Sequence, residues 1–135
     1  GTADVIVAFE PAEAARVLSY LAPDGVVVSA MTSIQPITAA LSPEPYRAEG
    51  VTAALSRELN GVPGASTRFV SVDDEAVLTQ VGNRKALNTV LLASALKTGH
   101  LPLSLDDLRD AVRACVKPRF VDVNLSAIDL VESGA

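Results

Sequence analysis

At 135 residues, with 49% hydrophobic and 20% charged side chains and a formal charge of −5, the chain is long enough for one domain with a real core and too short for two comfortable ones. Its eleven Lys and Arg are scattered, which argues against nucleic acid and against basic attachment to a membrane surface. A single cysteine, Cys115, excludes an internal disulfide and cannot supply the several thiolates of an iron–sulfur cluster; any electron-carrying centre is expected on another polypeptide. No apolar run reaches the ~18 residues that cross a bilayer and no secretory pattern is present, so a cytoplasmic location is the default expectation.

Val5 to Phe9 is an unbroken apolar run, the pattern of a strand covered on both faces. Pro11 starts a helix, since proline fits the first helical position, and Glu10 sets a negative charge beside the positive helix end. Ala14, Val17, Leu18 and Leu21 share one face of that helix, which is expected to run to about Leu21 and to end at Ala22-Pro23-Asp24-Gly25. Val26, Val27 and Val28 form a second buried run, and two such runs joined by a helix specify a right-handed parallel crossover.

From Met31 to Tyr46 the pattern lapses, with Pro36, Pro43 and Pro45 breaking helix and strand alike. A loop of that length is either interfacial or a plain cover over the core. Val51 to Leu59 reads as an amphipathic helix closed by Asn60-Gly61, Val62 to Thr67 as a turn, and Arg68 to Val72 as a third strand followed by an Asp73 cap. A helix over Asp74 to Val81 stops at Gly82. Asn83 caps a longer one, Arg84 to Thr98, apolar over most of its circumference. Ser104 and Asp107 form a capping box for a helix to about Cys115, and Arg119 to about Glu132 gives the last, with Phe120, Val123, Ala127 and Val131 at helical spacing.

This alternation predicts an α/β fold: a layered, Rossmann-like domain with a mainly parallel sheet sandwiched by helices, occupying residues 1–135 as a single domain. Three strands against about five helices is a poor ratio, so the domain is expected to be incomplete, gaining strands from residues ahead of Gly1 or from another chain. The entry into a buried strand at once after Gly1-Thr2-Ala3-Asp4 and the surplus of apolar residues point the same way, to the later part of a longer domain or to one piece of an assembly.

Signatures of chemistry are scarce. Where a dinucleotide fold needs G-x-G-x-x-G the chain has Ala-Phe-Glu-Pro-Ala-Glu, and a Walker pattern is absent. Pro23-Asp24-Gly25 is a turn without the paired asparagines of a thiamine-diphosphate site. His100 sits just past a helix end, where a structural role competes with catalysis, and Cys115 reads as a small core residue or a nucleophile. Glu10 lies at a strand's carboxyl end, where ligands of α/β folds collect, and is either a ligand contact or only the charge at a helix start. Asn88, set among Leu87, Val90, Leu91 and Leu92, must be a buried hydrogen-bonding pin or a polar contact for a ligand. No catalytic and no metal-ligating residue is assigned. The weak candidates for cofactor contact are Glu10, Asn83 and Asn88. On residues alone a stand-alone Rossmann-like module for a small molecule or nucleotide stays open.

Several stretches together carry a resemblance: Ala3-Asp4-Val5-Ile6-Val7-Ala8-Phe9-Glu10-Pro11 with Glu13-Ala14, Tyr20 to Val28, Gly82-Asn83-Arg84-Lys85-Ala86-Leu87-Asn88 with Val90-Leu91-Leu92, and Val123 to Ala127. They resemble the gamma-type subunit or domain of 2-oxoacid:ferredoxin oxidoreductases, the pyruvate and ketoisovalerate oxidoreductase family, of the kind found in indolepyruvate oxidoreductase beta subunits. The resemblance implies the C-terminal portion of a gamma-type domain. It implies an accessory piece of an enzyme that decarboxylates a 2-oxoacid to an acyl-coenzyme A, with thiamine diphosphate, iron–sulfur clusters and coenzyme A expected on partner subunits or domains. Ferredoxin would be met through the complex, in a homo- or hetero-oligomer, and no catalysis is expected from this chain alone. Members of that family carry a first strand and a Gly-Gly-Gln-Gly turn ahead of the Ala-Asp strand; these 135 residues do not include them.

Overall fold

β-branched residues crowd the first thirty positions, and in the computed structural model, which describes residues 1–32, 47–61 and 67–134, they form two parallel strands, β1 (Ala3–Ala8) and β2 (Leu21–Ala30). Helix α1 (Pro11–Arg16) joins them. The chain contacts divide into two compact units, one spanning Gly1–Val72 and one beginning at Asp73.

The first unit adds α2 (Ala48–Asn60) and β3 (Phe69–Val72). The sheet order is β1-β2-β3, with Ile6 opposite Val27 on one side and Val27 opposite Phe69 on the other, all pairs parallel. This is the layered α/β arrangement that the alternation of elements predicts. Central β2 is covered on both faces, and Val26, Val27 and Val28 have no exposed surface. β1 differs from expectation: Val5, Ile6 and Val7 are only half-buried, because β1 lies at the sheet's edge and has one strand neighbour among the described residues. An apolar run reports what a strand could bury, not how many neighbours it has. Helices α1 and α2 touch each other and the strands, closing a core of Ala8, Ala14, Val27, Leu55, Leu59 and Phe69.

The first helix is shorter than its periodicity predicts. It ends at Arg16, tightens into a 3₁₀ turn at Leu18–Tyr20, and gives way to β2 at Leu21, which pairs with Ala3. Between the Ala3–Leu21 and Val5–Val26 pairs, β1 advances two residues and β2 five. Ala22 to Gly25 therefore bulge within β2 and do not form the helix-ending turn expected of them. Gly25 is buried in this bulge, where a Cβ would fall 2.7 Å from the Ala3 carbonyl oxygen. Arg68 secures the irregular stretch, its Nε donating to the Gly25 carbonyl and a terminal nitrogen to that of Ala22, both at 3.0 Å. Asn60 does the same for the start of β3: its Oδ1 accepts from the backbone N–H groups of Arg68 (2.7 Å) and Phe69 (2.9 Å), and its Nδ2 donates to the Phe69 carbonyl (3.0 Å). The expected loop Met31 to Tyr46 and the turn Val62 to Thr67 fall mostly outside the described residues.

The second unit is helical. Asp73 accepts from the Ala76 N–H (3.0 Å) and opens α3 (Asp74–Val81), which Gly82 ends in the left-handed conformation at φ 75°. Asn83 accepts from the Lys85 N–H (2.9 Å) at a 3₁₀ turn, Arg84–Ala86, that leads into α4 (Leu87–Lys97). The predicted single helix thus has a tighter first turn. α5 (Leu105–Cys115) begins with the expected capping box, and α6 (Pro118–Glu132) packs against α3, α4 and α5. Arg109 on α5, braced by Asp106 of its own helix, ties the two last helices together through Asp129 and Glu132; these contacts push its pKa further up, with Glu132 the strongest. No helix among the described residues is long and apolar enough to cross a membrane.

Asn60→Ala strands three backbone groups at once and is expected to destabilise the protein by about 2–4 kcal/mol, from ~1 kcal/mol per lost hydrogen bond, as read by urea denaturation. The Ser104 backbone N–H and then its hydroxyl donate to Asp107 (2.7 and 2.9 Å) and hold that carboxyl below the usual range. A depressed folded-state pKa stabilises above the unfolded value of about 3.9 and ceases to do so as pH falls through the lower folded value. Asp107→Asn is therefore expected to lower the melting temperature at neutral pH, with the difference from the parent shrinking below about pH 4.

Candidate functional site

Two recesses carry the candidate residues, one in each unit. In the first unit β1 runs out at Ala8, and Phe9 and Glu10 turn the chain into α1. Glu10 has extended backbone (φ −143°, ψ 139°), and its side chain makes no capping bond. A cleft of about 300 Å³ opens there between the end of β1 and α1, with Ile6, Ala8, Phe9 and Val17 as apolar walls and Glu10 and Glu13 on its lining. Phe9 is half exposed at its edge. Glu13 is engaged by Arg16 (2.6 Å), which raises the Arg16 pKa, whereas Glu10 forms no ion pair among the described residues. Apolar walls and one unneutralised carboxylate suit an apolar or cationic group and repel phosphate.

In the second unit α4 is buried nearly all round, through Thr89, Val90, Leu91, Ala93, Ser94 and Ala95. Asn88 and Leu92, one turn apart, lie on the stripe left open. Of the two readings of Asn88, the buried pin is overturned: a helix apolar over most of its surface still has one outward stripe, and Asn88 occupies it. The buried amide belongs to Asn124 on α6. Its Oδ1 accepts from the Thr89 hydroxyl and its Nδ2 donates to the Phe120 carbonyl (2.7 Å). The signal was present in the sequence, since Asn124 stands among Phe120, Ala127 and Ile128 at helical spacing just as Asn88 stands among leucines.

A groove of about 300 Å³ runs along this side, with Lys85 and Asn88 on one bank, Thr89 and Asn124 in its floor, and Val116, Phe120 and Val123 opposite. The Lys85 ammonium lies 5.4 Å and the Arg119 guanidinium 4.8 Å from the centre of the Phe120 ring. Asn83 does not line the groove; it fixes the turn that carries Lys85. Of the three sequence candidates, Asn83 and Asn88 therefore converge on one groove, directly or through Lys85, and Glu10 belongs to the other recess.

His100 follows the end of α4, half-buried, with Nδ1 3.3 Å from the Thr98 carbonyl oxygen. Cys115 is exposed at the end of α5, which corrects its reading as a core residue: α5 buries a single side chain, Val112, and Cys115 falls on its wet side. Among the described residues no three His, Cys, Asp or Glu side chains gather closely enough to hold a metal ion.

The profile of the family described as "Pyruvate ferredoxin/flavodoxin oxidoreductase" matches residues 1–131. The chain belongs to that family. Within it, the chain is similar to "Indolepyruvate oxidoreductase subunit IorB" of Pyrococcus horikoshii, 34% identical over 131 residues, and to proteins of the same description from Thermococcus kodakarensis (30% over 131 residues) and Methanothermobacter thermautotrophicus (30% over 128 residues). These alignments take in 94–96% of this chain and 62% of each relative, so it spans less than two thirds of their length. No solved structure matches it. The family resemblance carried by the Ala3–Pro11 and Gly82–Leu92 stretches is borne out.

Asn124→Ala removes the partner of a buried hydroxyl and is expected to cost about 2–3 kcal/mol, whereas Asn88→Ala on the open stripe should stay within about 0.5 kcal/mol of the parent. Paired chemical denaturation curves check both.

Proposed function

We propose that this chain is the accessory, gamma-type part of a 2-oxoacid:ferredoxin oxidoreductase, with indolepyruvate as the oxoacid. The observation that carries the reading is the similarity to IorB subunits along 131 of the chain's residues, together with membership of the family. In this reading the complex decarboxylates the 2-oxoacid oxidatively to the acyl-coenzyme A and passes the electrons to ferredoxin.

The cysteine count and the strand end of this chain do not fit an iron–sulfur cluster or a thiamine diphosphate. A cluster needs several thiolates and Cys115 is single. The strand end at Ala8–Glu10 offers a diphosphate a carboxylate and a proline in place of backbone N–H groups. We therefore assign thiamine diphosphate, the clusters and coenzyme A to partner subunits or domains, and to this chain a supporting role beside them in a cytoplasmic oligomer. The half-buried edge of β1 and the half-exposed Phe9 support a chain that works against other protein surface.

Co-expression with a thiamine- and cluster-bearing subunit tests this. The two are expected to co-purify, and the complex, but not this chain alone, should reduce ferredoxin with indolepyruvate and coenzyme A. Failure of the pair to associate, or turnover by the isolated chain, would overturn the proposal.

A further inference from the structure

The groove of the second unit carries Lys85 on its lining, and Arg119, outside that lining, approaches the Phe120 ring that forms one of its walls. Lys85 and Arg119 are both exposed and lie over the same Phe120 ring, and neither forms an ion pair with an acidic side chain among the described residues. Two like charges drawn to one ring repel each other, and the ring's quadrupole offsets that only in part at an exposed site. No acidic side chain among the described residues neutralises either cation, so an anion held in the groove gains from both, most from Lys85 on its lining. Asn88 adds an exposed amide on the same bank.

The floor supplies a second, independent observation. Asn124 is 8% exposed and lines the groove, yet the hydrogen bonds among the described residues use only its oxygen and one of its two amide hydrogens. A nearly buried N–H left over in a recess is a donor waiting for an acceptor. Between this donor and the cations stand the apolar walls of Val116, Phe120 and Val123. A volume of about 300 Å³ is at the lower end for small-molecule sites, which combine apolar lining with a few convergent polar groups. Asp122, the neighbouring carboxylate on α6, does not line the groove.

We propose that this groove is a binding site for a small organic anion, a phosphate or carboxylate carried on a flat or branched apolar body. The charged end meets Lys85, Arg119 and Asn88. The body lies against Phe120 and Val123, and an acceptor atom on it takes the spare Asn124 N–H. Asn83 acts as a positioning residue, since its side chain holds the turn that presents Lys85.

The site is defined by this chain's own residues and is independent of the accessory-subunit reading, so the failure of either leaves the other standing. The test titrates phenyl phosphate into the full chain and follows heat and the side-chain amide resonances of Asn88 and Asn124. Saturable binding that shifts both resonances is expected, with phenol and inorganic phosphate each at least about ten-fold weaker because each lacks one half of the recognition. Lys85→Gln and Arg119→Gln alter exposed side chains, so the fold should survive, as circular dichroism will show, and each should weaken binding about five-fold or more, with a further loss at high salt. Absence of any shift, affinity unchanged in both variants, or inorganic phosphate binding as well as phenyl phosphate would overturn the proposal. So would a glutamate-rich peptide that outcompetes phenyl phosphate, which would make the groove a seat for a partner's acidic segment.

Discussion

Three consecutive valines with no exposed surface, Val26 to Val28, are the constraint on which the first unit rests. Burying each is worth about 1.5–3 kcal/mol relative to leaving it in water, an upper figure because a real unfolded chain already hides part of that surface. A strand so deeply buried must also have its backbone N–H and C=O groups paired, and β1 and β3 take the places on its two edges in parallel. Parallel pairing in turn demands crossovers long enough to hold α1 and α2, which supply the cover for Val27. Where the ladder becomes irregular, at Ala22 to Gly25 and at the start of β3, side chains complete it: the Arg68 guanidinium and the Asn60 amide bond backbone groups that no strand reaches.

How much of this could be read beforehand follows from the range of the interactions concerned. Caps act over three or four residues, so Asp73, Asn83, the Ser104–Asp107 box and the Gly82 stop were all legible in the sequence. The parallel pairing of the two valine-rich runs was legible too, because a helix between two buried runs leaves no shorter way to join them. Asn60 was not, because its signal coincides with that of a helix stop and its partners lie eight and nine residues on. The half-exposure of β1 and the early end of α1 escaped for a related reason: both are decided by which strand stands next to which. For the candidate site, residue type and helical period found the right helix and the wrong depth. Asn88 and Asn124 carry the same local signature, and only the packing of α4 on α6 decides which amide is inside.

The two recesses are opposite in character. The cleft at the end of β1 presents the carboxylate of Glu10 over apolar walls, whereas the groove beside α4 presents Lys85, with Arg119 against the Phe120 ring of its wall. A chain with a net charge of −5 would, by average composition, repel anions everywhere. Local arrangement overrides that average at the groove, within the ~8–10 Å over which charges act at ordinary salt. Such sorting of charge gives one small acidic polypeptide two recesses of different chemical character.

The exposed Asp4 within β1 has a bearing on how the polypeptide behaves in solution. An outermost strand with half-covered valines is a template on which unrelated chains can stack, and a fixed negative charge in such a strand is a known deterrent to that stacking. Asp4 thus serves as a gatekeeper against sideways accretion of foreign chains on β1.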